Sequence, residues 1–535
     1  MVMKQRKYFD INCAVGRKSK PDEMFPYRFE DLLGDMAYSR VHGALISSNE
    51  SLDSFYMAGD QKLIEITQSN KRLYGIATLP STWNFETDDD EYLDKLLDAG
   101  MRGVKFAPSV FGCSAAARDA EQIAEKLILR NLPLFYPCEE GFDGLASLLE
   151  AYRELNIVLL GSRWGDNRKL FSLLERNSNL HFDYSLNQGN DLLELTKKHF
   201  GIERVLFGSN WPHTSMAALK SLNEYAVLSE NEKDAVAYKN ACRLLKINPD
   251  DLMLYSDADC EFDEIAMAAD SGLPMPVPVT DSHTHTLSQE YKTASRIMML
   301  NSSSEHMAEK LNRLGVKTAI ISPWEGLCTD GMASNDYSVY TVNKFPGRFL
   351  AYNTCNVNYT EDLTGWKEYF DKYPGVFVGI KPYWPYQQFS LLTDVVKPWL
   401  EYADEHKLLL LLHTGWGARI VDEVPALAER YKGITFILAH SGQSYKTANE
   451  NIALVKKFSN VVLEITATDT TRGMIEYLVS EVGADKVLYG SDMLMREPSP
   501  QLGWVAYAKI SYEDKCKILN GNIKRIIAGC LNFKK

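Results

Sequence analysis

Six of the ten histidines fall in the second half of the chain, and four of those six close short apolar runs. His283 and His285 form an HxH at the end of VPVTDSHTH. His413 ends LLLLLH and His440 ends ITFILAH, while Asp492 ends VLYGSD. In a strand, residues i and i+2 point to the same side, so His283 and His285 can reach one point. A lone histidine at a strand end is ordinarily a hydrogen-bonded, partly buried residue. Four of them together with an aspartate make a donor set. Neutral imidazoles and a carboxylate suit one divalent ion, Zn2+ in the first place, with Mn2+ and Fe2+ as alternatives. The ligand set read from these positions is His283, His285, His413 and Asp492.

Such a set needs strands that end at one place. The second half offers eight strand-like runs: Val277 to His285, Val316 to Pro323, Phe349 to Asn356, Gly375 to Pro382, Leu408 to Gly415, Ile434 to Gly442, Val461 to Thr468 and Val487 to Met493. Helix-length segments such as Thr393 to His406 lie between most of them. Eight alternating β and α units predict a closed (β/α)8 barrel of the TIM type, with its active site at the carboxyl ends of the strands. The first half repeats the rhythm, from Tyr8–Gly16 to Arg204–Pro212. Asp10 matches Asp281 at an offset of 271 residues, and Gly208-Ser209 match Gly490-Ser491 at 282. Between these, Lys105 in GVKFAP falls on Lys381 in GIKPYWP, and Gly165 falls on Gly442. An offset that drifts slowly in chain order is what a duplicated domain with small loop insertions produces. The expectation is an α/β chain of two tandem TIM-type barrels, over residues 1–250 and 278–535, with a Pro-rich connector over 251–277.

The second half resembles the amidohydrolase superfamily, in its amidohydrolase-related branch of hydrolases and non-oxidative decarboxylases. The pieces that carry the resemblance are DSHTH, GIKPYWP, LLHTG, ILAHSG, YGSDM and GNIKRII, in the family's order. The resemblance implies that His283, His285, His413 and Asp492 bind one catalytic metal and that His440 is a catalytic acid/base. Asp492 is a second candidate to take the nucleophile's proton. The first half resembles the same family in GVKFAP, LFGSNWP and NACRLLK. There the matching positions read Asn12, Ala14, Pro137, Arg163 and Asn210, which cannot assemble a transition-metal site. That half is expected to be a degenerate barrel. Because Lys105 stands where Lys381 stands, a shared structural role is favoured over a carboxylated lysine bridging two metals. Asp183 likewise matches Glu464.

Tyr383, Trp416 and Arg419 immediately follow predicted strand ends and are the leading candidates for substrate binding. Behind them come Trp324, Tyr337, Trp384, Tyr386 and Arg496. Aromatic side chains could wall a small molecule and an arginine could clamp a carboxylate. The expected activity is hydrolysis of an amide, ester or lactone by metal-activated water. Decarboxylation of a small carboxylic acid is the alternative, and a non-catalytic binding protein the second one. By analogy with dimeric relatives, the first barrel is a candidate intrachain partner of the second, with Arg163 and Trp211 as candidates to face its site.

A net charge of −13 over 535 residues argues against nucleic-acid partners and anionic membrane surfaces. The nine cysteines are scattered and never form a CxxC pair, which fits a reducing compartment. The opening MVMKQRKYFD has no apolar signal-peptide core, and no run reaches ~18 apolar residues. A cytoplasmic location is the expectation.

Overall fold

A computed structural model describes residues 5–255, 262–288, 291–415, 419–466 and 469–531. The chain divides into two compact units, Met1–Glu261 and Phe262–Lys535, and each is a (β/α)8 barrel. Among the described residues no helix is long and apolar enough to cross a membrane.

The first barrel is built from β1 (Phe9–Val15), β2 (Gly43–Ser48), β3 (Leu73–Gly75), β4 (Val104–Lys105), β5 (Leu134–Pro137), β6 (Ile157–Leu160), β7 (Leu180–Asp183) and β8 (Val205–Leu206). Strands β1 to β3 and β4 to β8 pair in parallel as two sheets. Isolated bridges Ala77–Val104 and Cys13–Trp211 join their edges into a ring. The second barrel comprises β9 (Thr280–Thr284), β10 (Thr318–Ile321), β11 (Phe349–Asn353), β12 (Phe377–Ile380), β13 (Leu409–His413), β14 (Thr435–Ala439), β15 (Val461–Glu464) and β16 (Val487–Leu488). These eight form one parallel sheet. It closes through Ser282 N–H donating to Tyr489 O at 3.1 Å and the Thr284–Met493 bridge.

Parallel strands are covered on both faces, which is why Leu409–Leu412 is an unbroken apolar run. The barrel interior is filled by side chains including Ile320, Val378, Leu411, Ile437 and Leu488. Ile523, from the helix Asn522–Gly529, packs into the same cluster. In the first barrel Ala241, Cys242 and Leu245 take that place. A filled core leaves the carboxyl ends of the strands as the place for a site.

The helices follow from their caps and stripes. In Ser304–Leu314 the Ser303 hydroxyl accepts from His306 N, and Met307, Leu311 and Leu314 form the buried face. The helix stops at Gly315, whose φ is +76°. A Cβ there would come within 2.4 Å of Met275 N, so glycine is required.

The two barrels share their hydrogen-bond details. Asn240 Nδ2 donates to the carbonyls of Ile202 and Val205, and Asn522 Nδ2 to those of Ala484 and Val487. Each asparagine follows a wider π-helical turn, Ala235–Lys239 and Lys517–Gly521.

The structure adds a helix to the connector and corrects one matched position. Part of the connector expected over 251–277 is helical, from Glu264 to Asp270. Asp263 caps it by accepting from Ala266 N at 2.8 Å, Lys515 pairs with Asp263 at 2.7 Å, and Ile265 and Ala269 are buried. The counterpart of His440 is Gly161, not Arg163. The β6–β7 ladder pairs Ile157 with Leu180, the β14–β15 ladder pairs Phe436 with Val461, and Gly161 and His440 are then the fourth residues beyond. Both hold left-handed backbone, φ +68° and +63°.

Candidate metal centre

Asp281 in β9 sets the geometry. Its Oδ1 accepts from His283 N and from Ser491 N, both at 3.1 Å, and Ser491 Oγ donates to its other oxygen. It thereby ties the HxH strand to the turn that carries Asp492. Asp492 N donates back to His283 O at 2.9 Å. Asp492 and His440 have φ of +62° and +63°, conformations that cost a non-glycine residue roughly 1 kcal/mol or more and cluster at functional sites.

The result is a compact triangle. His283 Nε2 lies 3.1 Å from His285 Nε2, and each lies 3.2 Å from Asp492 Oδ1. His440 Nε2 lies 3.0 Å from His413 Nδ1, and the His283 and His440 rings are 5.3 Å apart. Lys381 Nζ reaches His283 Nε2 at 2.9 Å. All five residues expected at the centre are therefore gathered there. His283, His440 and Asp492 also present ligand atoms within 4.8 Å of one another and could hold a metal, with His413 reaching the cluster through His440.

The far nitrogens are also fixed. His283 Nδ1 faces Glu464 Oε2 at 3.1 Å, His285 Nδ1 faces Ser322 O at 2.9 Å, and His440 Nδ1 faces Thr466 O at 2.9 Å. A carbonyl can only accept, so Nδ1 of His285 and of His440 carries the proton and Nε2 presents its lone pair inward. Neither carbonyl has a signature in the sequence.

The centre is buried: His283, His285, His440 and Asp492 are each 1–2% exposed. Burial lowers the pKa of His283 and His413 well below the ordinary value and that of His440 to about 3. Burial alone would raise the Asp492 pKa, but His283 and Arg496 overcome it and hold the carboxyl well below its usual range. Burial takes the Lys381 ammonium down to about 8 and Glu464 up to about 8. Inward-facing imidazole nitrogens beside an ionised carboxylate are a donor set suited to a divalent ion, so the residues fit one.

Around this set, Tyr383 packs its ring 5.3 Å from His413 and 6.0 Å from Trp324, which in turn lies 5.9 Å from His285. Trp384 Nε1 donates to His413 O at 3.3 Å. Tyr337 is instead a packing residue, hydrogen-bonded to Ser304. Arg496, ranked behind others in the sequence, is 3% exposed and sits 3.5 Å from Asp492 Oδ2. Trp416 lies outside the described residues, as does the Arg419 side chain.

In the first barrel, Asn12 Nδ2 donates to Asp183 Oδ2 at 2.7 Å, the counterpart of the His283–Glu464 contact. Asp10 accepts from Asn12 N and Ser209 N at 3.0 Å, as Asp281 does. The supporting bonds survive without the imidazoles.

Solved structures with this architecture include three decarboxylases. One acts on 2,6-dihydroxybenzoate and comes from Rhizobium (15% identity, TM-score 0.37, 47% of this chain and 99% of that one). Another acts on 5-carboxyvanillate and comes from Novosphingobium aromaticivorans, with manganese (13%, 0.38, 47% and 96%). The third acts on dihydroxybenzoic acid and comes from Polaromonas, also with manganese (14%, 0.37, 48% and 100%). No curated protein matches the sequence. The amidohydrolase family model matches residues 25–247 and again 280–527, once in each barrel, and the chain belongs to that family.

Proposed function

We propose that the second barrel is a metal-dependent hydrolase that cleaves an amide, ester or lactone bond of a small molecule. The observation that carries this reading is the triangle of His283, His285 and Asp492 with His440 beside it. His283, His285, His413 and Asp492 would hold the ion. A divalent ion bound there supplies Lewis acidity toward a carbonyl oxygen and toward water. His440, its Nδ1 held by Thr466 O, presents Nε2 to the centre, where it can take a proton from water and return it to the leaving nitrogen or oxygen. Tyr383 and Trp324 wall the centre and exclude bulk water.

Decarboxylation of a small carboxylic acid is the second reading, favoured by one observation. A guanidinium buried beside Asp492 is suited to hold a substrate carboxylate. The test is turnover by the Zn2+- and Mn2+-loaded protein on a panel of amides, esters, lactones and carboxylic acids. Carbon dioxide release is followed alongside hydrolysis. Hydrolysis abolished by His440→Ala supports the first reading, and carbon dioxide release the second. Rates indifferent to that substitution would remove both.

A further inference from the structure

The first barrel lacks the donor set, yet it has a cavity of about 190 Å3 at the matching end. Arg17 and Lys18 follow β1, Asn49 follows β2, and Pro212 and His213 follow β8; Phe25 and Tyr27, from the loop after β1, are also in the lining. The loop is fastened. Gly16 N donates to Tyr27 O at 2.7 Å, Asn49 Nδ2 donates to Gly16 O at 3.0 Å, and the Phe25 ring meets His213 edge-on at 4.8 Å. A dry cavity of about 150 Å3 takes up benzene, so this one has room for a single ring with a small substituent.

The charge of the lining leans positive: Arg17 and Lys18 stand against Asp22, while burial favours the neutral form of His213. Three carboxylates nearby accept other bonds: Asp22 accepts from Met24 N at 3.1 Å, Glu50 pairs with Lys62 at 2.5 Å, and Asp53, whose charge also faces Lys18, accepts from the Ser19 amide and hydroxyl. At the end of β4, Lys105 Nζ lies 3.5 Å from Ser47 Oγ. Burial lowers its pKa; the Lys18 charge adds to that shift, while the Glu139 and Asp183 carboxylates oppose it.

We propose that this cavity binds a small monocarboxylate with an apolar ring. Arg17 and Lys18 meet the carboxylate, and Phe25, Tyr27 and Pro212 enclose the ring. The site is independent of the chemistry proposed for the second barrel.

The test is a 19F NMR titration of the full-length protein with 4-fluorobenzoate, and with neutral 4-fluorobenzyl alcohol as the control. The parent protein is expected to bind one equivalent of benzoate more than the R17A/K18A variant. The alcohol is expected to bind that site at least tenfold more weakly. His213→Trp, which fills the cavity, should lose the same equivalent, while circular dichroism shows both variants folded. Superimposable benzoate titrations for parent and R17A/K18A would overturn the proposal, and so would equal affinity for the alcohol.

Discussion

His413 and His440 lie 3.0 Å apart, but the proposed chemistry asks different things of them. A ligand holds the ion in the resting protein, whereas an acid/base matters only in turnover. His413→Ala is therefore expected to lower the metal content of the purified protein, read by elemental mass spectrometry. His440→Ala should retain the parent's metal content while its rate falls by about 10²-fold or more. The reverse pattern, with His440→Ala stripped and His413→Ala loaded, would reassign the two residues. The compact group of His283, His440 and Asp492 makes that comparison informative. The HxH and Asp492 were legible in the sequence because strand periodicity fixes side. The proton-holding carbonyls of Ser322 and Thr466 were not, since any residue supplies a carbonyl.

Between strands, legibility depends on whether composition reports the property in question. Burial does show in composition, so most of the sixteen strands announce themselves as apolar runs, whereas β9 is polar throughout and fully buried. Ladder length does not: the run Met101–Pro108 contains only β4, Val104–Lys105. Backbone sign does not either, and a glycine match placed Arg163 where the ladder places Gly161. One further element-level feature is Asp60, in the helix Tyr56–Ser69. Its carboxyl accepts from Ser51 Oγ at 2.8 Å and from Thr78 N at 3.2 Å, fastening the helix to the segment after β3. Burial raises its pKa from 3.8 to about 8. The folded protein then keeps a proton that the unfolded chain releases, so this group favours folding fully at low pH. Its contribution is lost as pH rises from about 4 to about 8, by up to about 1.4 kcal/mol per pH unit. The urea midpoint followed by tryptophan fluorescence should fall between pH 5 and pH 8 in the parent and fall less in Asp60→Asn. Identical slopes would show that Asp60 is ionised in the folded state.

At the scale of the chain, duplication has kept the frame twice and the donor set once. Asp10 and Asp281 make the same pair of amide contacts, and the Asn240 and Asn522 amides fasten the same turns. At the ligand positions, however, the first barrel offers Asn12, Ala14, Pro137, Gly161 and Asn210. Two amide oxygens are the only side-chain donors at those positions, too few to hold a transition ion. An ion should therefore bind once per chain. Titrating Zn2+ or Mn2+ into chelator-treated protein should saturate at one equivalent. Hydrogen exchange should slow in peptides spanning β9, β13 and the turn after β16, because binding to the folded state suppresses local opening. Peptides spanning β1 and the turn after β8 should exchange as before. Saturation at two equivalents, or equal protection of the β1 peptides, would mean that the first barrel assembles a site from residues outside those five positions.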